Sequence, residues 1–299
     1  MHSRTVRSCE IHQLRFMADG LRSVIRSFKY EESNQRNKVT KPAASKRSKI
    51  TKSSPYDGMK DLPPSLADDL EVLFVGYNPG VESSAQQHHY AHFTNLFWKL
   101  FNDSKLFLAV LGLEVEKVKI EDELFGQLIE KKEGTYITKI KAAQDYELAK
   151  YKIGFTDLVL RCTKAASELT MTEKLQNVPR LIDEFNKTKA KRVVFIGKGI
   201  WEIVVKYLSN QTGNNVKLNK LNFKWGLQQD SEYSDYNRIL QQFHKLVPGT
   251  KLYVFPNTSG LVASMKYPEK LQLWMKLVSD IDKELLNDKR TEETNSMTE

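Results

Sequence analysis

The chain has 299 residues, room for one sizeable α/β domain with tails rather than two full domains. Its 40% hydrophobic and 28% charged residues are ordinary for a globular protein, and two distant cysteines, Cys9 and Cys162, exclude a disulfide framework or a cysteine zinc site and suit a reducing compartment. The net charge of +9 lies wholly in residues 1–60, which carry 14 Lys/Arg against 5 Asp/Glu, while the remaining residues balance at 32 of each. Residues 1–65 read as a basic, largely disordered arm. Within it Ile11, Leu14, Met17, Leu21, Ile25 and Phe28 recur at three or four positions and predict an amphipathic helix over 11–28. The cluster Lys46-Arg47-Ser48-Lys49 suits nuclear import or phosphate binding. An Arg-bearing start also fits a mitochondrial presequence, against which Glu10 and Asp19 count, so the nucleus is the expected location. No apolar run is long enough for a bilayer, and no secretory signal opens the chain.

The folded domain is expected over residues 66–287, with 288–299 as a disordered tail. Four short apolar runs rich in β-branched and aromatic residues read as buried strands: Val72–Val75, Phe155–Leu160, Arg192–Ile196 and Leu252–Phe255. Helical patterns fall between them at Leu96–Leu100, Leu175–Phe185 and Ile200–Leu208. A last helix after Pro268 places Leu271, Trp274, Val278, Ile281 and Leu285 on one face. Strands alternating with helices predict a mostly parallel sheet inside a three-layer α/β/α sandwich. Residues 114–150 and 230–249 carry no legible motif and read as surface insertions.

Open α/β sheets bind ligands beyond the carboxyl ends of their strands. Two unusual loops fall there, Gly76-Tyr77-Asn78-Pro79-Gly80 and Pro256-Asn257-Thr258-Ser259-Gly260-Leu261. Either could be only a turn, and neither fits a phosphate-cradling Walker pattern. The first leads into Gln87-His88-His89-Tyr90-Ala91-His92-Phe93-Thr94-Asn95-Leu96-Phe97-Trp98-Lys99. His89 and His92, with His88, are candidate metal ligands, but no second ligand cluster accompanies them. Tyr90 with Asn95 offers what a nucleobase pocket needs, a stacking face and a hydrogen-bonding edge. Phe97 and Trp98 read as core.

Five collinear motifs are now on view: GYNPG, HY–x4–NxFWK, IGFTDLVxRxT (with Asp157, Arg161 and Thr163), Val194-Phe195-Ile196-Gly197-Lys198, and Trp225-Gly226-Leu227-Gln228 before the PNTSGL loop. In this order the chain resembles the mismatch-specific uracil/thymine-DNA glycosylase family from about Leu70 to Leu285, and a fungal-type member is expected. The resemblance implies a uracil-DNA glycosylase-like fold and a monofunctional enzyme that flips and hydrolytically excises uracil opposite guanine in double-stranded DNA, with thymine or other modified pyrimidines as further candidates. It implies no cofactor and no metal, and a protein monomeric on DNA. By resemblance Asn78 orients the attacking water, and backbone N–H groups near Tyr77 and Asn78 stabilise the departing base. Tyr90 stacks on that base, His89 lies in the pocket, and Asn95 is a pocket or scaffold position. Ser83 falls near the 5-position of the base, and Asp157 faces its polar edge or caps a turn. Leu261 enters the gap left by the flipped nucleotide, while Asn257, Ser259 and Gly260 hold the flanking backbone against the widowed guanine. Phe93 stands where proline or glycine is usual, which is expected to reshape the pocket floor, and Val262 and Ala263 replace an expected basic residue. With no lysine in a nucleophile position, lyase chemistry is not expected. The rival reading is a mismatch-binding protein with little or no catalysis.

If the arm touches phosphates, deleting residues 1–60 weakens non-specific DNA binding and flattens the log–log dependence of affinity on salt. An unchanged slope in a binding titration across salt concentrations would show that it does not.

Overall fold

The computed structural model describes residue 56 and residues 58–112, 123–213, 215–260 and 265–296. The helix expected over 11–28, almost all of the basic arm, and Leu261 with Val262 and Ala263 lie outside them. The described strands are β1 (Val72–Gly76), β2 (Ile129–Lys132), β3 (Thr135–Thr138), β4 (Ile153–Asp157), β5 (Arg192–Ile196), β6 (Gly226–Leu227) and β7 (Lys251–Phe255). The helices are α1 (Val81–Gln86), α2 (Phe97–Asp103), α3 (Leu106–Leu111), α4 (Glu123–Leu128), α5 (Met171–Thr188), α6 (Lys198–Thr212), α7 (Ser234–Leu246) and α8 (Tyr267–Ser296).

The main sheet has the order β4-β1-β5-β7-β6. Its first four strands are parallel and β6 pairs antiparallel at the edge. Strand alternation sends Leu73, Val75, Val193, Phe195, Leu252 and Val254 into one core layer, where they meet buried residues of α5, α6 and α7. Val72, Phe74, Ile153, Phe155, Val194, Ile196, Tyr253 and Phe255 enter the other, against α2, α3 and α8. The expected three-layer sandwich is therefore present, with both faces of a continuous apolar sheet covered. Trp274 of α8 stacks on Phe74 with ring centroids 5.3 Å apart, which seats the last helix on the sheet.

Several boundaries differ from the sequence reading. β4 begins at Ile153 and ends at Asp157, because Gly154 carries no side chain to signal a strand and Leu158 and Val159 turn to donate to the carbonyls of Gly76 and Tyr77. The domain also starts earlier than residue 66. Leu62 is buried, and Ser65 exchanges two 2.8 Å backbone hydrogen bonds with Phe155, covering the free edge of β4. At the other end α8 continues to Ser296 instead of giving way to a tail at 288, since no glycine or proline follows Pro268 to stop it.

The two segments read as surface insertions are structural. Residues 230–249 form α7, whose Tyr236, Ile239, Leu240 and Phe243 are core residues. Residues 114–150 include α4 and the β2–β3 hairpin, and they end in a turn that buries Asp145 completely. The helical spacing of Tyr236, Ile239, Leu240 and Phe243 is present in the sequence, whereas the high charge of 114–150 concealed its role, because a single buried polar residue leaves no periodicity.

At the amino end of β5, Arg192 is fully buried and clamps Glu71 before β1 to Glu284 of α8. Removing a buried charge strands its partners. Arg192→Ala should therefore lower unfolding free energy by about 3–5 kcal/mol in urea titrations. A loss below about 1 kcal/mol would mean that both carboxylates relax into water.

Candidate active site

The carboxyl ends of the parallel strands meet at one edge, where Gly76 of β1 pairs with Asp157 of β4. Strand alternation decides which side chains share a layer. Gly76 continues the row of Val72 and Phe74, and Asp157 the row of Ile153 and Phe155, so both lie on the α2/α8 side. Tyr77 falls on the opposite side, its ring against the first core layer and beneath Lys174 Nζ at 5.4 Å. Its side chain therefore does not join Gly76 and Asp157. Only its backbone remains at the edge, the part to which the resemblance gave a role.

Asn78 is half-buried and held by its nitrogen. Nδ2 donates to Thr163 Oγ1 at 2.7 Å and to the carbonyls of Arg161 and Pro79, each at 3.2 Å. Those carbonyls only accept, and the Thr163 hydroxyl donates its own hydrogen to the Ala165 carbonyl at 2.9 Å. All three partners therefore demand an N–H, which settles the orientation of the amide and leaves Oδ1 to accept from outside. Arg161 is kept in place by a bidentate pair with Glu173 of α5. Thr163 belongs to a motif visible in the sequence, but its role in turning Asn78 was not legible there.

Beside this loop residue 76 has to be glycine, because the Asp157 carboxylate takes the space its side chain would need. A Cβ there would overlap the Asp157 carboxylate and come within 3.2 Å of the Tyr90 hydroxyl. Asp157 is only 5% exposed, and its carboxylate has no hydrogen-bond partner among the described residues. Burial pushes its pKa up to about 6 against the opposing pull of His89 and Arg180. The Tyr90 phenol is pushed well above its usual range, first by burial and then by Asp157. Tyr90 stacks on Phe97 almost parallel, at 3.9 Å between centroids, and its hydroxyl is buried without a partner.

His89 lies in the same layer. Its Nδ1 lies 2.7 Å from Asp145 Oδ2, which also accepts from its backbone N–H, and its ring stacks on Phe155. Asp145 further binds His88 Nδ1 at 2.8 Å and the amide of Tyr146. An acceptor-only carboxylate requires hydrogen on both imidazole Nδ1 atoms, so Nε2 of His89, buried and unpartnered, is the atom left for a ligand. His88 and His89 are thus committed to one carboxylate, while His92 Nδ1 turns to Thr94. The three do not converge, and no three-residue His/Cys/Asp/Glu group suited to a metal occurs among the described residues.

The remaining expected residues serve mostly as supports. Ser83 Oγ accepts from the Ala91 amide at 3.2 Å and steadies the turn after Tyr90. Asn95 Oδ1 accepts from the Phe97 amide and caps α2, which assigns that oxygen to the scaffold. Asn257 Oδ1 accepts from Ser259 N at 2.7 Å, and buried Lys270 donates to the Asn257 carbonyl. The two loops are joined, since Leu96 N donates to Thr258 O at 2.9 Å and Gly260 packs so closely on Thr94 that a Cβ would fall 2.7 Å from its hydroxyl. Phe93 does not form a pocket floor. It is 90% exposed, on the turn between Tyr90 and Asn95. Of the seven buried side-chain atoms lacking partners among the described residues, those of Ser84, His89, Tyr90 and Thr258 belong to the segments around this edge, which marks it as a polar ligand site.

A family model described as the uracil DNA glycosylase superfamily matches residues 63–278. The chain is also 26% identical over 272 residues to a G/U mismatch-specific uracil DNA glycosylase of Schizosaccharomyces pombe, an alignment covering 88% of this chain and 69% of that protein.

The buried Asp157 carboxyl has a testable consequence. Its folded-state pKa is raised, so its contribution to stability is full below the unfolded value near 4 and is lost as pH rises through about 6. Asp157→Asn should therefore exceed the parent in stability at pH 8, by up to about 3 kcal/mol, and converge with it below about pH 4. Urea midpoints that coincide at every pH would show that this carboxylate is well solvated.

Proposed function

The chain belongs to the uracil DNA glycosylase superfamily, and from that premise we propose that it excises uracil opposite guanine from double-stranded DNA by hydrolysing the N-glycosidic bond, which opens base-excision repair. The enzyme is an N-glycosyl hydrolase. The observation that carries the mechanism is the forced orientation of Asn78. With Nδ2 spent on Thr163, Arg161 and Pro79, Oδ1 accepts a hydrogen bond from the water that attacks C1′. The C1′–N bond breaks, its electron pair leaves with the base, and the proton of the attacking water passes to solvent. An amide holds that water without deprotonating it, so the reaction depends on a good leaving group and favours uracil.

The extruded base enters beside Tyr90 and Asp157. Tyr90, backed by Phe97, stacks on it, and the Asp157 carboxylate accepts from uracil N3–H. The amides of Tyr77 and Asn78 face its oxygens as negative charge develops, while Nε2 of His89, left as an acceptor, takes a hydrogen bond from the base or from the water. Ser83, fixed against the turn after Tyr90, narrows the space for a 5-methyl group, and ionised Asp157 repels a carboxylated base. The protein acts as a monomer, with Asn257, Ser259, Gly260 and Leu261 at the distorted duplex and the basic arm on phosphates. Its work is in the nucleus.

Incubation with duplexes containing G·U, G·T and A·U, followed by alkali, should reveal strand breaks at G·U well above G·T, and none at 5-carboxylcytosine at neutral pH. Asn78→Ala should lower the single-turnover rate by about 10²-fold with duplex binding retained. Duplex binding without any base release by the parent chain would establish the mismatch-binding alternative instead.

A further inference from the structure

Phe93 is the most exposed large apolar side chain among the described residues, and it lies three positions after Tyr90 and next to Thr94, which packs on Gly260. The turn that carries it is tightly held. His92 Nδ1 contacts both N and Oγ1 of Thr94, and the Asn95 amide donates to His92 O at 2.8 Å. Asn95 caps α2, and Thr94 lies against Gly260 of the neighbouring loop. The His92 imidazole stacks on Phe93 at 4.7 Å with rings 23° apart, leaving the second face of the phenyl ring open. A supported ring is thus presented to water between Tyr90 and the loop ending at Gly260. A ring so placed gains nothing from the folded domain and loses hydrophobic stabilisation.

We propose that Phe93 is a DNA-stacking residue that packs on the base pair flanking the flipped nucleotide. The inference rests on the glycosylase reading. Turning a nucleotide out of a duplex uncovers the face of the neighbouring pair, an apolar surface the size of one aromatic ring, and proteins that distort duplexes fill such gaps with Phe, Leu or Met. Phe93 shares one short turn with Tyr90 and with Thr94, which packs on Gly260, so the base pair next to a nucleotide entering at Tyr90 meets its free face. His92 buttresses the ring from behind as Phe97 buttresses Tyr90.

The test uses the full chain under single turnover, with enzyme concentration varied over a G·U duplex. Because the side chain touches little of the domain, Phe93→Ala folds as the parent does. Its half-saturating concentration rises by about ten-fold, while the plateau rate stays within about two-fold. Phe93→Trp restores the affinity, whereas Phe93→Leu restores it only in part, because base stacking needs a flat ring. In an Asn78→Ala background, the emission contributed by Phe93→Trp above that of the four native tryptophans is quenched on adding the duplex. Unchanged half-saturation in Phe93→Ala with uracil release intact would overturn the assignment of Phe93 and leave the glycosylase reading standing. A self-associating parent that becomes monomeric in Phe93→Ala, with duplex affinity unchanged, would place a second copy of the chain on this ring and overturn it equally. Failure of the parent to release uracil from any duplex would overturn both readings together.

Discussion

The missing side chain at Gly76 is the constraint around which the site is built. The parallel pairing of β1 with β4 sets Gly76 beside Asp157 on the same face of the sheet, where any Cβ would occupy the space of the carboxylate and crowd the Tyr90 hydroxyl. Below that point the same two strands carry Phe74 and Phe155, which stack at 5.8 Å. Tyr90 on Phe97 and His89 on Phe155 extend the same aromatic layer upward. The apolar layer thus gives way, at the ends of these strands, to a carboxylate, an imidazole nitrogen and a phenol.

Those groups share an imbalance of hydrogen bonding that is uncommon elsewhere in the domain. Their supports are saturated. Asp145 accepts from His88, from the ring and backbone of His89 and from Tyr146, and the Asn78 nitrogen has three acceptors. His89 Nε2 and the Tyr90 hydroxyl, buried beside them, have none. A buried polar atom without a partner destabilises the fold, while a fully bonded support stiffens the atom it carries. The arrangement holds reactive groups in fixed positions at a cost in stability, as expected of a site preorganised for a polar ligand.

Much of the positioning comes from segments that carry no chemistry of their own. Asp145 lies in a highly charged stretch, yet it sets the tautomer of His89 from a distance of 56 residues along the chain. Thr163, Arg161 and Glu173 form a relay from α5 to the Asn78 amide. The loop after β7 and the turn before α2 brace each other through Leu96, Thr258, Thr94 and Gly260. Such long-range supports are what allow loop residues to be held as firmly as residues in strands.

What could be read directly from the sequence depended on local chemistry. The apolar runs around Val72, Phe155, Arg192 and Leu252 announced the parallel strands because burial on both faces requires continuous β-branched and aromatic residues. The loops at Asn78 and Asn257, and the joint presence of Tyr90 and His89, were legible because glycine, proline and polar residues interrupted those runs at the ends where α/β sheets bind ligands. Partnership was not legible. Whether Tyr77 joins Gly76 and Asp157 depends on strand alternation beyond the end of β1, and whether Asn95 touches a ligand depends on the start of α2. The exposure of Phe93 and the burial of Asp145 follow from how loops separated in sequence pack on one another. Residue type and local periodicity specify the elements and the chemistry available at their ends. The direction of each side chain, and what it binds, is settled only when long-range contacts fill one shared volume.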